Sequence, residues 1–167
     1  MEQKTYTLND GKKISMRPLI KEDRNKLANL YETMSESALK WIQKPKHYQL
    51  EERFRYPDYY ISLVTLHNDD LIGYGEIQKD PMKRDGELLI HIHQDYQGVG
   101  LGTAMMIMLL KEATDQGLHS IKLKVAAENR KAVHLFSKFG FQEQHTTMKV
   151  YSGEKHDTLY MSKQLKK

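Results

Sequence analysis

Cysteine is absent from this 167-residue chain, which excludes disulfide bonds, thiolate metal sites and catalysis by a cysteine nucleophile. No apolar run approaches the roughly 20 residues that a membrane helix needs, so we expect no membrane partner. Residues 1–4 lead into no apolar signal segment, and a cytoplasmic location is expected. Gly/Ser-rich linkers and low-complexity stretches are also missing, which predicts one domain over residues 1–167.

Charge of one sign is only slightly in excess. Lys and Arg number 26 against 22 Asp and Glu, which gives a net charge of +4 and an isoelectric point of about 9.0. The basic residues form no dense block, so a nucleic acid is not an expected partner, whereas a small polyanionic ligand suits the bias. His91 and His93 would share one side of a strand without a third ligand, so no metal site is predicted.

Hydrophobic periodicity predicts a strand meander followed by strand–helix–strand–helix–strand. The predicted strands are residues 4–8 and 12–17 around the turn Asn9-Asp10-Gly11, then 59–66, 71–78, 87–93, 120–125, 141–151 and 158–163. The predicted helices are 22–34, a segment from Ser35 or Ser37 to a stop at Pro45, a turn at 49–54, and then 102–116 and 129–138. The expected fold class is α+β, with one mixed, mostly antiparallel sheet of six to seven strands flanked by about four helices.

Three glycines spaced two apart, Gly98, Gly100 and Gly102, lie between a predicted strand and a predicted helix. Glycine lets the backbone approach a ligand closely, and the unpaired N–H groups of a helix start attract anions. The pattern therefore predicts a phosphate site, although a glycine turn without a ligand explains the spacing as well. A dinucleotide site needs G-x-G-x-x-G and an acidic residue about 20 positions later, where this chain has Lys122 and Lys124. The G-K-[ST] of a P-loop is absent.

The spacing Gln97-x-x-Gly100-x-Gly102 resembles the signature Q/R-x-x-G-x-G/A of the GNAT superfamily of N-acetyltransferases. The later segment Asn129-x-x-Ala132-x-x-x-Phe136-x-x-x-Gly140-Phe141 resembles the second element of that superfamily. Two further segments look like its protein-lysine acetyltransferase branch, namely Asp10-Gly11-x-x-Ile14-x-x-Arg17-Pro18 with Asp23, and Glu87 with Asp95-Tyr96-Gln97-Gly98. The resemblance covers essentially the whole chain and implies a GNAT-like fold.

The resemblance implies acetyl-CoA as a co-substrate and assigns residues to it. Backbone groups of Ile90, His91 and Ile92 would pair with the pantetheine arm, whose two amides can act like an added strand. Asn129 would contact the cofactor arm, or alternatively serve only as a helix cap. The pyrophosphate would be held by Gln97, Gly98, Val99, Gly100, Leu101, Gly102 and Thr103.

Acetyl transfer to an amine requires the neutral amine. A lysine side chain has a pKa near ~10.4, so the neutral form at pH 7 costs about 4–5 kcal/mol, and a general base assists. Glu87 aligns with the glutamate of the lysine-acetylating branch and is the candidate base. The alternative is that Glu87 is an ordinary surface carboxylate. Glu76 is the second candidate for the base. Phe136, counted among the cofactor contacts, replaces the tyrosine that often protonates the leaving thiolate. A thiolate with a pKa of about 8.5 can leave unaided. Ser137 or His134 could substitute for the tyrosine, although an ordinary position on a helix face explains each of them as well.

The predicted function is transfer of an acetyl group from acetyl-CoA to a primary amine by direct attack. A protein lysine is the favoured acceptor, and a small amine, a polyamine or an N-terminal amine is the alternative. The acceptor site is expected among residues 35–56. Phe136 also motivates a different hypothesis, a non-catalytic acyl-CoA sensor. A homodimer is expected only from the general frequency of two-fold oligomers.

Overall fold

The computed structural model describes residues 1–43 and 47–166. These residues form eight strands: β1 Lys4–Thr7, β2 Lys13–Pro18, β3 Tyr60–His67, β4 Asp70–Asp80, β5 Asp85–Ile92, β6 Ser120–Ala126, β7 Gln142–Tyr151 and β8 Glu154–Gln164. Five α-helices are described between them: α1 Arg24–Thr33, α2 Glu36–Leu39, α3 His47–Arg55, α4 Leu101–Asp115 and α5 Arg130–Lys138. Short 3-10 turns cover Lys21–Asp23, Pro57–Tyr59 and Gln94–Tyr96.

All eight strands belong to one sheet with the order β1-β2-β3-β4-β5-β6-β8-β7. Neighbouring strands are antiparallel except β5 and β6, which run parallel and are connected through α4. A parallel connection needs a crossover of this kind, because the chain has to return to the same end of the sheet. The sheet is therefore mixed and mostly antiparallel, as predicted.

The helices cover the two faces of the sheet and bury a hydrophobic core on each. On one face, side chains of α1 and α3 pack on β3 and β4, with Leu27, Leu30, Tyr31, Leu50, Val64 and Tyr74 among the buried residues. On the other face, α4 forms the centre of the larger core, with Met105, Met106, Leu109, Leu63, Ile77 and Leu123 among its members. A β-carbon added at Gly75 of β4 would lie 2.7 Å from Leu109 Cδ1, so α4 rests directly on the backbone of that strand.

The sheet has eight strands where six to seven were predicted, and five helices where about four were predicted. Each of the eight strands and five helices corresponds to a segment that the periodicity predicted, so the difference lies in the expected totals and not in an unpredicted element. Helix α2 is shorter than predicted, because it ends at Leu39 and Trp41 lies beyond it. The predicted stop at Pro45 lies outside the described residues.

Within the described ranges, no helix is long and apolar enough to cross a membrane.

Candidate active site

Strands β5 and β6 are paired at one end and separate at the other. Their parallel register consists of Asp85–Glu87 of β5 against Ser120–Lys122 of β6. Beyond these pairs, β5 stays paired with β4 as far as Ile92, and β6 stays paired with β8 as far as Ala126. Residues 88–92 of β5 therefore keep one edge that no other described strand pairs. This opening inside the sheet is called the β5–β6 gap below.

The side chains of β5 divide between the two faces along this gap. Ile90 and Ile92 pack against the core around α4. His91 points to the opposite face, where its Nδ1 lies 2.8 Å from the hydroxyl oxygen of Tyr31 on α1. Burial lowers the pKa of His91 to about 4, so its imidazole is neutral at physiological pH.

The loop between β5 and α4 depends on two glycines with left-handed backbone. Gly98 has a φ of +75° and Gly100 a φ of +91°, values that residues with a β-carbon rarely adopt. Gly100 is the N-cap of α4 and offers no side chain to cap it, and the first turn of α4 contains no acidic residue. The N–H groups at this helix start are thus left without a side-chain acceptor. Together with the positive end of the helix dipole, they form a region suited to an anion.

Gly102 has a packing role in the same loop. A β-carbon at this position would lie 3.0 Å from Leu135 Cδ2 and 3.5 Å from Ile92 Cδ1. The glycine therefore lets α5 approach the first turn of α4. The sequence predicted the three glycines as one group, and the structure separates them into two for the loop and one for the contact between helices.

The turn between β1 and β2 supports the phosphate loop, which sequence reasoning missed. The backbone N–H of Asn9 donates to the carbonyl of Val99 at 2.9 Å. Lys12 lies 5.0 Å from the ring centroid of Tyr96, and His67 Nδ1 lies 2.7 Å from the Tyr96 hydroxyl. The Asn-Asp-Gly signal predicted the turn correctly, but nothing in it indicated that the turn packs against residues 90 positions later.

The two candidate bases lie in different environments on the α1–α3 face. The Glu87 side chain is 40% exposed, and its Oε1 lies 3.5 Å from Lys124 Nζ on β6, beside the narrow end of the gap. Glu76 on β4 is only 2% exposed. Its carboxylate accepts hydrogen bonds from Arg53 at 2.6 and 2.9 Å and from the Tyr74 hydroxyl at 2.6 Å. Glu76 is thus engaged in a buried ion pair, whereas Glu87 is accessible from solvent.

The other residues of the second sequence element lie around α5. Asn129 is the N-cap of α5, but its side chain makes no capping hydrogen bond, so the amide is available for a different contact. Phe136 is buried in the core on the α4 side and packs edge-on against Phe141, with ring centroids 6.0 Å apart. Ser137 and His134 are exposed on α5.

The segment around α2 runs from the end of β5 to the start of β8. At the β5 side, the Ser35 N–H donates to Gln94 Oε1 at 3.1 Å, and Gln94 Nε2 donates to the carbonyl of Thr33 at 3.1 Å. At the β8 side, the Trp41 ring packs edge-on against His156, with centroids 4.9 Å apart. The α2 segment therefore spans the wide end of the β5–β6 gap.

Across the described part of the chain, His, Asp and Glu side chains form no group that could hold a metal ion.

Comparisons with known proteins agree with this architecture. Residues 27–141 match the model of the acetyltransferase (GNAT) family. The chain is 30% identical over 86 residues to the L-amino acid N-acyltransferase MnaT of Escherichia coli strain K12, covering 49% of this chain and 50% of that protein. It is 39% identical over 77 residues to the spermidine N(1)-acetyltransferase of Vibrio cholerae, covering 45% and 44%. Half or less of the length of each of these two relatives is therefore matched.

Solved structures match over almost the full chain. The spermidine N-acetyltransferase of Vibrio cholerae, crystallised with CoA and spermine, has a TM-score of 0.75 at 26% identity and covers 91% of this chain and 95% of its own. The GNAT domain of S. lividans PAT has a TM-score of 0.79 at 16% identity, covers 98% and 97%, and is similar in fold. With the family match over most of the sequence and the separated strands β5 and β6 beside a glycine loop, the chain belongs to the GNAT acetyltransferase family.

Proposed function

We propose that this protein transfers an acetyl group from acetyl-CoA to a primary amine by direct attack of the amine on the thioester. The observation that carries the proposal is the β5–β6 gap, which opens beside the uncapped start of α4. An unpaired strand edge suits the amides of pantetheine, and an uncapped helix start suits a pyrophosphate. The unpaired edge and the helix start follow one another at the same end of β5. Pantetheine and the pyrophosphate follow one another in coenzyme A in the same way.

The residues of this region divide between the parts of the cofactor. Backbone groups at Ile90, His91 and Ile92 would pair with pantetheine, and the free amide of Asn129 would contact the same arm from the opposite side. The buried Phe136 would border the arm through its ring. The N–H groups of the loop from Gln97 to Thr103 would hold the pyrophosphate, with Val99 and Leu101 contributing backbone only.

Glu87 is the proposed general base. Its carboxylate is accessible and lies on the same face as His91, beside the gap through which the thioester would be reached. In the reaction the amine nitrogen forms a bond to the acetyl carbon, the carbon–sulfur bond breaks, and the amine proton passes to Glu87 directly or through water. The thiolate of coenzyme A leaves with its electron pair and is protonated by solvent, since Phe136 has no proton to give. Glu76 is less suited, because Arg53 and Tyr74 already occupy its carboxylate.

The acceptor is proposed to bind beneath the α2 segment, which spans the wide end of the gap. Two classes of acceptor are candidates. A protein lysine is suggested by the resemblance of Glu87 and residues 95–98 to the lysine-acetylating branch. A polyamine or another small amine is suggested by the similarity to the Vibrio cholerae spermidine acetyltransferases.

The test has two stages. Acetyl-CoA is first titrated into the protein by calorimetry, and free thiol release is then followed with lysine peptides, polyamines and amino acids as acceptors. We expect binding and amine-dependent thiol release, and the acceptor with the highest kcat/KM identifies the class. A protein that binds no acetyl-CoA would refute the proposed site. Binding without thiol release from any acceptor would favour the acyl-CoA sensor that Phe136 suggests.

A substitution tests the base. Glu87→Gln is expected to lower kcat by about 10²- to 10⁴-fold, the usual contribution of a general base, while the affinity for CoA stays unchanged. Glu143→Gln, at an exposed position on the edge strand β7, removes the same charge away from the gap and serves as the control. Unchanged turnover in Glu87→Gln would remove Glu87 from the mechanism.

A further inference from the structure

Lys124 on β6 lies beside the proposed base, where the β5–β6 gap begins. Its Nζ is 3.5 Å from Glu87 Oε1. Glu87 belongs to the last pair of the parallel register, opposite Lys122. Lys124 is two residues farther along β6, so its side chain is on the same face and its backbone lies where β5 no longer pairs with β6. A primary amine of the chain itself therefore lies next to the base, at the opening of the gap.

The surroundings of this amine restrict it without covering it. The Lys124 side chain is 43% exposed, and that of Glu87 is 40% exposed. On β8, the strand on the other side of β6, the ring centroid of Tyr160 lies 5.7 Å from Lys124 Nζ. That ring is itself stacked on His145 of β7, with centroids 4.2 Å apart. The ammonium thus lies between a carboxylate and a supported aromatic ring, and it stays accessible from solvent.

An ordinary ion pair between neighbouring strands explains this contact without any reaction. Lys122 offers the comparison, because it is on the same strand and face and its Nζ lies 4.0 Å from Asp85 Oδ2. Its side chain is 55% exposed, so it is the more exposed of two similarly paired lysines. The two lysines differ in position. Lys124 adjoins the proposed base and the unpaired edge, whereas Lys122 lies within the paired part of β5 and β6.

We propose that Lys124 is a site of self-acetylation, modified from acetyl-CoA bound to the same molecule when no acceptor is present. This inference rests on the proposed function and extends it to an amine of the chain itself. The ammonium of Lys124 loses one proton to Glu87, and the neutral Nζ forms a bond to the acetyl carbon. The carbon–sulfur bond breaks, the thiolate leaves with its electron pair, and the second amine proton passes to solvent. Because the lysine is already held beside the base, no separate binding step is needed.

Peptide mass spectrometry of the full chain, incubated with saturating acetyl-CoA and no acceptor, tests the assignment. We expect Lys124 to gain an acetyl group at least about tenfold faster than Lys122, at a rate independent of protein concentration, as for a reaction within one molecule. Chemical acetylation by free acetyl-CoA would instead favour Lys122, the more exposed lysine. Glu87→Gln should lower the rate at Lys124 to that at Lys122. Excess CoA, which competes for the cofactor site, should do the same in wild type.

The alternative results are distinct. Equal rates at Lys124 and Lys122, in a protein that acetylates added amines, would refute the inference and leave the proposed function standing. A Lys124 rate that neither Glu87→Gln nor CoA changes would show chemical acetylation, and a rate that rises with protein concentration would show transfer between molecules. Either result overturns the inference. If neither Lys124 nor any added amine is acetylated, the inference and the proposed function both fail. Lys124→Arg keeps the positive charge and should lack the fast acetylation in intact-protein mass spectra, which identifies the site.

Discussion

The buried pair of Glu76 and Arg53 leads to a quantitative prediction for the variant Glu76→Gln. The Glu76 carboxylate receives two hydrogen bonds from Arg53 and one from the Tyr74 hydroxyl, and its side chain is only 3% exposed. Glutamine keeps the shape of the side chain and one acceptor oxygen. It removes the charge that the guanidinium faces and replaces an acceptor by an amide donor.

The expected destabilisation follows from the burial of both partners. Removing one partner of a buried ion pair costs about 3–5 kcal/mol, because the other ion loses the attraction of that counter-charge. The glutamine oxygen still accepts one hydrogen bond, so we expect the lower end, about 3 kcal/mol. For a chain of this length, each kcal/mol lowers the melting temperature by about 2–4 °C, which gives a decrease of about 6–12 °C.

Calorimetric melting and urea unfolding measure this effect, with Glu87→Gln as the matched control. Glu87 is 40% exposed and 3.5 Å from Lys124, and an ion pair of this kind contributes at most about 1 kcal/mol. The double variant Arg53→Met with Glu76→Met should lose less stability than the sum of the two single losses, since both members of the ion pair are then removed together. A Glu76→Gln protein with wild-type stability but greatly reduced turnover would refute the reasoning and make Glu76 the base.

Two further predictions concern the loop and the buried histidine. Gly100→Ala should lower the free energy of unfolding by about 1–2 kcal/mol, because its φ is +91°, and should also weaken CoA binding. Gly117→Ala, with a φ of +83° and open space around it, should lower the free energy of unfolding by a similar amount without changing the affinity for CoA. Thermal melting and CoA titration of both variants check this. Because burial lowers the pKa of His91 to about 4, the unfolded chain binds a proton below pH 6.5 that the folded chain does not take up until about pH 4. The free energy of unfolding should therefore fall by about 3 kcal/mol between pH 6.5 and pH 4, and His91→Gln should remove this slope in urea titrations; an unchanged slope would show that another group causes it.

Local patterns predicted much of the architecture because they depend on neighbours in the sequence. The turn Asn9-Asp10-Gly11 and the periodicity of α4 predicted elements close to the observed bounds. Helix α2 shows where this reasoning ends. The apolar residues from Leu39 to Ile42 suggested a longer helix, but Trp41 packs against β7 and β8 more than 100 positions away.

The candidate site was predictable where a backbone requirement selects a residue type. Left-handed backbone at Gly98 and Gly100 is such a requirement, and their spacing is visible in the sequence. The partner of Glu76 was not predictable, since Arg53 lies 23 residues away on another element and no pattern joins them.

The opening between β5 and β6 has a consequence for aggregation. Unpaired strand edges on the outside of a sheet attract strands of other chains, and proteins protect them with charges, bulges or covering elements. Here the free edges of two long strands face each other inside the sheet, with α4 packed on one face and the α2 segment across the wide end. A narrow ligand with a few amides can enter the β5–β6 gap, whereas a pleated strand with side chains on both faces would clash with α4 and with the α2 segment. The protein thus keeps unpaired backbone groups for a ligand without exposing them to its own unfolded copies.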